Sequence, residues 1–490
     1  MTKTQLLIAG DWRDAADGKE YVDSNPATSE ELARVASASA TDVDRAVQAA
    51  RKALETGKWA TMAASRRAKI IYKIAQLIAE RAGEIALLEV RDNGKTIGTA
   101  KGELSAIVDT FEFYAGAATK NYGSTLPAPV PNYIAHTLLE PVGVVGAIVA
   151  WNFPLLLASW KVAPALAAGC TIVLKPATAT PLTALELGKI ALEAGVPEGV
   201  LNVVTGPGSE LGQAMVEHPA IDKIAFTGST ATGRRIAATA AQTLKRVTLE
   251  LGGKSPSLVF ADADLEAAVN GALYGIFYNA GQTCEARSRV LVQDSIYDEF
   301  VARFGERAQK LRVGDPEDAQ TQIGAITLEE QLEKIAADCR AGEKEGAKRL
   351  FGGTRVAGDG HDRGLFWNVT AFEADPKHRI AREEIFGPVV VFLKFKTESE
   401  AIEIANDSEY GLAASIWSKD ISRVNRVARA LRTGTVAINT PYAVFPGVPF
   451  GGYKRSGYGR ELGFETMRLY SETKSVITYV GEKPINPFGV

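Results

Sequence analysis

A cysteine, a glutamate and an asparagine, each set where a turn interrupts an apolar run, are the residues of this chain best suited to do chemistry together. Cys284 closes Gly281-Gln282-Thr283-Cys284, behind a helix-like stretch. Small residues at that turn allow the sulfur to be presented to a cleft, where a thiol needs orientation and modest deprotonation, not a metal, to attack a carbonyl. A lone cysteine is more often a small buried hydrophobe. That reading suits Cys170, which leads into an apolar strand, and Cys339, in a charged helix. Glu250 interrupts an apolar strand in Val247-Thr248-Leu249-Glu250-Leu251-Gly252-Gly253-Lys254. It is either a strand-end carboxylate turned to solvent or paired with Lys254, or a general base in a partly desolvated cleft. Asn152, in Ala150-Trp151-Asn152-Phe153-Pro154, directly follows a strand. It is either an ordinary turn residue or an amide donor aimed at an oxyanion.

A second group has the chemistry to hold phosphates and sugars. Phe226-Thr227-Gly228-Ser229-Thr230-Ala231-Thr232-Gly233 ends a strand and opens a helix, so its backbone N–H groups can meet a pyrophosphate. Gly206-Pro207-Gly208 with Gly212 imitates a dinucleotide loop more closely, but its proline removes a donor. Lys175, in Lys175-Pro176-Ala177-Thr178, ends another strand; it either reaches a ribose or phosphate oxygen or is a solvated lysine.

These residues need elements to position them. Residues 40–54, 65–90 and 102–118 carry helical apolar periodicity, and the first 115 residues read as mainly helical, covering one face of a sheet. A polar, proline-rich stretch at 122–132 followed by 133–139 predicts a β-hairpin arm. From residue 142 short apolar runs at 142–149, 171–174, 201–204 and 223–226 alternate with helical segments, the pattern of a parallel, doubly wound sheet. A second α/β region starts near Gly252, with helices at 265–279 and 296–311 and strands at 389–395 and 435–438. The β-prone run 476–480 near the end could pair with another subunit's arm.

Composition narrows the function. Lys plus Arg (55) nearly balance Asp plus Glu (58), with no basic tract to follow a phosphate backbone, so nucleic acid is not an expected partner. Three cysteines and four histidines without ligand spacing argue against a disulfide framework and against a metal site. No secretory leader is legible at the start, and a cytoplasmic location is expected. Residues 141–160 form a twenty-residue stretch without charge, but Gly143, Gly146, Asn152 and Pro154 divide it into strand, turn and buried helix, so no membrane span is expected.

Taken in order, these motifs resemble the aldehyde dehydrogenase superfamily along essentially the whole chain. Glu384-Ile385-Phe386-Gly387-Pro388 and Pro449-Phe450-Gly451-Gly452 extend the match. The resemblance implies NAD(P)-dependent oxidation of an aldehyde to a carboxylic acid through a cysteine thiohemiacetal and thioester, released by water. It implies Cys284 as nucleophile, Asn152 with the Cys284 N–H as oxyanion hole, Glu250 as the base, and Lys161 and Glu461 as a proton relay. For the dinucleotide it implies Glu384 and Phe386 at the nicotinamide ribose, Gly228 and Ser229 at the pyrophosphate and Gly208 on the adenine side. Lys175 and Thr178 then fall at the adenosine ribose, with Ile148, Val149, Trp151 and Leu251 completing the cofactor site. Phe153, Trp160 and Phe450 would line the aldehyde's entrance. The implied architecture is a doubly wound dinucleotide-binding domain (1–121 and 141–252), an α/β catalytic domain (253–469) and a β oligomerisation element (122–140 and 470–490) that builds a homodimer or homotetramer. Thr178 departs from the glutamate common in NAD-preferring members, so use of both NADP and NAD is expected, NADP favoured. Two rivals are an acylating relative that passes the thioester to coenzyme A, which would lack Glu250, and a catalytically silent member, which would not keep Asn152, Glu250 and Cys284 together.

Overall fold

The structure, a computed structural model, describes residues 2–358, 361–442 and 444–489. Five parallel strands lie at the centre of an eight-stranded sheet: Leu201–Val203, Thr171–Lys175, Val144–Ile148, Lys223–Thr227 and Arg246–Glu250, in that spatial order. The first of these five in the chain, Val144–Ile148, is thus central, and the order reverses between it and Lys223–Thr227. All residues of these two strands are buried, as expected where helices cover both faces. On one face, helices Ala64–Glu80, Ile97–Ala118 and Pro154–Ala168 contribute Ile74, Phe111 and Leu166 to one core. On the other, helices Ala40–Glu55, Gly208–Glu217 and Thr230–Ala241 contribute Val47, Met215 and Ile236.

The uncharged stretch at 141–160 resolves into the strand Val144–Ile148, a turn, and a helix that begins at Pro154, where a missing N–H costs nothing, and ends at Gly169 in the left-handed conformation (φ 94°). Among the described residues no helix is long and apolar enough to cross a membrane.

Two expectations for the first 115 residues are corrected. Before the first helix come five short strands: Leu6–Ile8 and Asp11–Arg13 extend the edge of the eight-stranded sheet, and Thr2–Thr4, Glu31–Ala36 and Glu20–Ser24 form a small sheet of their own with Glu31–Ala36 at its centre. The helix expected at 65–90 is two, Ala64–Glu80 and Ala82–Asn93, broken at Arg81, whose guanidinium pairs with Glu193.

The chain changes sheet between Glu250 and Pro256. A seven-stranded sheet then runs Lys348–Phe351, Thr370–Glu373, Val389–Phe395, Arg289–Gln293, Pro256–Val259, Ala413–Trp417 and Thr435–Ile438, parallel at every junction but the first. Gly457–Tyr458 returns to the first sheet and pairs with Leu249 and Glu250. The hairpin arm is present as Thr125–Leu126 against Tyr133–Pro141. The tail departs from expectation: Ser471–Tyr479 pairs antiparallel with this chain's own Tyr133–Pro141, in register from Ser471 opposite Pro141 to Tyr479 opposite Tyr133. The cause is local, because Tyr470 is buried and its carbonyl accepts from Val142 N (3.0 Å), which seats the start of the tail beside the end of the arm.

Candidate active site

In a doubly wound sheet, ligands bind where the strand order reverses, beyond the carboxyl ends of the strands. Asn152 lies just past the end of Val144–Ile148, and Gly228 and Ser229 just past the end of Lys223–Thr227, so both flank that crevice. Asn152 is buried, and its Nδ2 donates to Gln282 O (2.9 Å) while its own carbonyl accepts from Asn279 Nδ2 (2.9 Å). An amide NH2 has two protons to donate; that bond uses one. Gln282 is fixed in turn, its Oε1 accepting from Thr327 N (2.9 Å). The asparagine is thereby tied to the loop that carries Cys284.

That loop is strained. Helix Leu265–Phe277 gives way to Asn279, Ala280 and Gly281, all left-handed (φ 50°, 53° and 70°). For Ala280 this is a sparsely populated conformation, held by the surrounding structure. A Cβ on Gly281 would run into the Gly387 carbonyl, so glycine is required there. The result presents Cys284, partly exposed, in the wall of a cavity of about 780 Å³ shared with Phe153, Trp160, Tyr278 and Phe450. Trp160 and Phe450 meet edge-on, with centroids 5.5 Å apart.

Glu250 ends its strand only 2% exposed, which removes the solvent-facing reading. Nor does it pair with Lys254, whose Nζ is buried without a hydrogen-bond partner among the described residues. Neither Glu250 oxygen has a partner at ordinary hydrogen-bond distance, and the thiol of Cys284 is the polar group beside it. Burial lifts the Glu250 carboxyl to about 8; the Lys161 charge opposes that rise and the Glu461 charge adds to it. Burial, then the Glu250 charge, pushes the Cys284 thiol well above its ordinary range. Lys161 projects from the buried helix Pro154–Ala168, its Nζ 2.9 Å from Glu461 Oε1 and 2.7 Å from Thr227 Oγ1. Glu461 is held opposite Phe450 by a two-way backbone bridge (2.8 and 2.7 Å), and its Oε2 has no partner among the described residues.

Trp151 meets Phe386 edge to face at 5.3 Å. Glu384 Oε1 accepts from Gly253 N (2.9 Å), and burial raises its carboxyl to about 7. Lys175 is buried, not solvated; its Nζ donates to Pro176 O (2.8 Å), lies near Gly208, and burial lowers it to about 8. Beside it, Thr178 Oγ1 donates to Gly206 O (3.0 Å), so its hydroxyl proton is used within the loop and is not free for a 2′-phosphate. Ser229 caps helix Thr230–Ala241, accepting from Thr232 N (3.2 Å). The side chains of Ile148 and Leu251 belong to the core, and Leu251 packs on Gly233; Val149 is also buried.

Sequence reasoning missed Asn279, Gln282 and Thr327, whose hydrogen bonds span as many as 234 positions of chain and leave no local pattern. It also missed Tyr274 and Tyr278 in the cavity wall, although their spacing of four residues before the Cys284 turn was a legible helical face.

The aldehyde dehydrogenase family pattern matches residues 12–476. The chain is 44% identical over 482 residues to betaine aldehyde dehydrogenase of Bacillus subtilis (strain 168), covering 98% of each. It is 45% identical over 484 residues to retinaldehyde dehydrogenase 3 of Homo sapiens, covering 98% of this chain and 94% of that one. Among solved structures it superposes on the NAD+ complex of an aldehyde dehydrogenase from Bacillus cereus with a TM-score of 0.96 at 46% identity, covering 98% of this chain and 97% of the other. On a betaine aldehyde dehydrogenase from Staphylococcus aureus in complex with NAD+ the TM-score is 0.97 at 41% identity, covering 99% and 97%. With motifs, sheet order and crevice geometry in agreement with these similarities over nearly its full length, the chain belongs to the aldehyde dehydrogenase family.

Proposed function

We propose that this enzyme, which oxidises an aldehyde to a carboxylic acid with NAD(P), does so by covalent catalysis at Cys284. The observation that carries the assignment is the buried, unpartnered Glu250 carboxylate beside the Cys284 thiol, with the Asn152 amide fixed to the same loop. The thiol proton passes to Glu250 as sulfur attacks the aldehyde carbon. The new oxyanion takes hydrogen bonds from the second Asn152 N–H and from the Cys284 backbone N–H; such a donor is typically worth about 3–4 kcal/mol in the transition state. The bound nicotinamide ring supplies the hydride acceptor, and a thioester remains on Cys284. Once it has given up the thiol proton, Glu250 takes a proton from water as the water attacks the thioester, and sulfur departs as the thiolate from the acid product. Lys161 and Glu461 form a buried pair to which Glu250 can pass its proton, the unpartnered and buried Glu461 oxygen being free to accept it. A hydrolytic base in place favours water over coenzyme A as acceptor.

The chain's own residues fit a dinucleotide. A Cβ on Gly252 would clash with the Glu384 carboxylate, so the glycine leaves that carboxylate room to take ribose hydroxyls beside Phe386 and Trp151. Gly228, Ser229 and the start of helix Thr230–Ala241 offer N–H groups for the pyrophosphate. Lys175, with no carboxylate partner among the described residues, faces the loop of Thr178 and Gly208, where the adenosine ribose belongs. We assign NADP as the favoured cofactor with NAD also used: Thr178 brings no negative charge against a 2′-phosphate, and Lys175 brings a cation. Since the Thr178 hydroxyl is committed to Gly206, the preference rests on absent repulsion and on Lys175.

The change of sheet at residues 250–256 supports a dinucleotide-binding domain of 1–121 and 141–252 and a catalytic domain of 253–469, with 122–140 and 470–490 as the oligomerisation element. Exposed Ile134, Leu138, Ile477 and Val480 on that element support a homodimer or homotetramer of a cytoplasmic enzyme. The test of the mechanism is Cys284→Ala: aldehyde-dependent reduction of NAD and NADP disappears while dinucleotide binding, followed by fluorescence, persists. Turnover surviving in that variant would refute the covalent route, whereas Cys170→Ala and Cys339→Ala should retain activity.

A further inference from the structure

The cavity at Cys284 is of the size that houses drug-sized ligands, about 300–1,000 Å³, and far exceeds a three-carbon aldehyde. One wall is a continuous run of rings. Phe153, next in the chain to Asn152, stacks on Tyr278 (centroids 6.1 Å apart), Tyr278 stacks on Tyr274 (4.9 Å), and Tyr274 meets Tyr442 edge to face (5.3 Å). Exposure rises along this ladder from 6% at Phe153 to 37% at Tyr274 and 57% at Tyr442, so it leads from the reacting centre to solvent.

A second wall is one face of helix Ile97–Ala118: Gly98, Gly102, Ala106 and Thr110 all line the cavity at intervals of four. At about 1.5 Å per residue this face is about 18 Å long. Gly98 and Gly102 are exposed, Ala106 is half-buried and Thr110 is buried, the same passage from solvent to interior. A Cβ on Gly98 or Gly102 would meet nothing within 4 Å. Packing therefore does not require glycine at either position, although glycine is a poor helix former; what the two preserve is open space.

The charged side chains in these walls are matched. Glu285 pairs with Arg287. Glu103 pairs with Lys95 (2.5 Å), which also reaches Glu89 (3.0 Å) and lies over the Phe153 ring. Burial raises Glu103 to about 8, so at neutral pH it is mostly uncharged and Lys95 balances Glu89. One Glu103 oxygen is unpartnered, but this group offers little net charge to a charged substrate tail.

We infer that the preferred substrates are uncharged aldehydes with an extended apolar chain, of the length of decanal rather than propanal, laid between the aromatic ladder and the Gly98–Thr110 face. The inference rests on Cys284 chemistry as proposed above, and the experiment separates the two. kcat/KM is measured for propanal, hexanal, decanal and a trimethylammonio-aldehyde, in wild type, Gly102→Leu and Ala106→Leu. In wild type, kcat/KM should rise about two- to fourfold per added methylene, as burial of each methylene from water implies. Each leucine should lower the decanal-to-propanal ratio about tenfold or more, by filling the space the chain occupies. Leucine is a good helix former, so thermal melts followed by circular dichroism should show both variants folded. Active propanal turnover with a flat chain-length series overturns this inference alone. So does an unchanged ratio in both variants, or a charged aldehyde that outruns decanal. Wild type inert toward all four aldehydes would sink the Cys284 mechanism with it.

Discussion

A carboxyl that titrates near 8 beside a thiol that is harder still to ionise makes Glu250 the group whose protonation sets the rate. Its base form grows as pH rises through about 8, so hydrolysis of the thioester should accelerate over that interval. Glu250→Gln should abolish the acceleration and lower steady-state turnover by about 100-fold or more; where the variant still forms the acyl-enzyme, rapid mixing should show a burst of reduced dinucleotide before the slow phase. Normal steady-state rates in that variant would remove Glu250 from the base role. The same shift has a stability consequence of definite sign. Because the folded-state value lies above the ordinary 4.5, the folded protein holds this proton more tightly than the unfolded chain. The associated stability is fully present below about 4.5 and lost as pH rises through about 8. The melting temperature of Glu250→Gln should therefore fall less than that of wild type between about pH 6 and 9. Thr178 carries the other prediction at this scale: Thr178→Glu should shift preference toward NAD by about one to two orders of magnitude, chiefly by weakening NADP through repulsion of about 1–3 kcal/mol. An unchanged kcat/KM ratio, or wild type that ignores NADP, would take Thr178 out of the argument.

At the scale of elements, the site is assembled from turns that only glycine or strain permits. Gly252 follows the Glu250 strand, and its missing side chain is the room occupied by the Glu384 carboxylate, which Gly253 N holds. Gly252→Ala should displace Glu384 and raise the KM for either dinucleotide about tenfold or more, a loss of roughly 1.4 kcal/mol, with a smaller effect on the aldehyde. Equal effects on both substrates would mean the turn matters for packing only. These turns were legible as glycine motifs, and so were buried strands such as Val144–Ile148, whose five consecutive buried, uncharged residues leave a local signature. The breaks were less legible: nothing local says that residues 65–90 bend at Arg81, since the ion pair with Glu193 spans 112 positions of chain. Ahead of Ala40, Thr2–Thr4 and Leu6–Ile8 were missed for the same reason, their partners in Glu31–Ala36 and Leu201–Val203 being distant. Glu20–Ser24 and Glu31–Ala36 went unread although they pair locally over five positions.

At the scale of the whole molecule, the arm and tail form a three-stranded sheet with Ser471–Tyr479 at its edge and apolar side chains exposed, Ile477 at 69%. If that sheet joins subunits, Ile477→Glu combined with Ile134→Glu should move the sedimentation coefficient to that of a monomer of 52.2 kDa, with near-normal dinucleotide binding per chain. An unaltered oligomer would place the interface elsewhere. The sequence by itself determined the family, the order of the motifs and the alternation of strand and helix, because each is carried by residues adjacent in the chain: Glu250 with its two glycines, Cys284 with its small-residue turn, Asn152 after its strand. Only the tertiary structure decided that Glu250 is buried and unpaired, that Lys161 meets Glu461 across 300 positions, that Thr178 spends its hydroxyl on Gly206, and that the tail zips onto its own arm. The physical reason is common to all four. Desolvation, ion pairing and strand pairing depend on what approaches a group through space, and the groups that approach here come from distant parts of the chain.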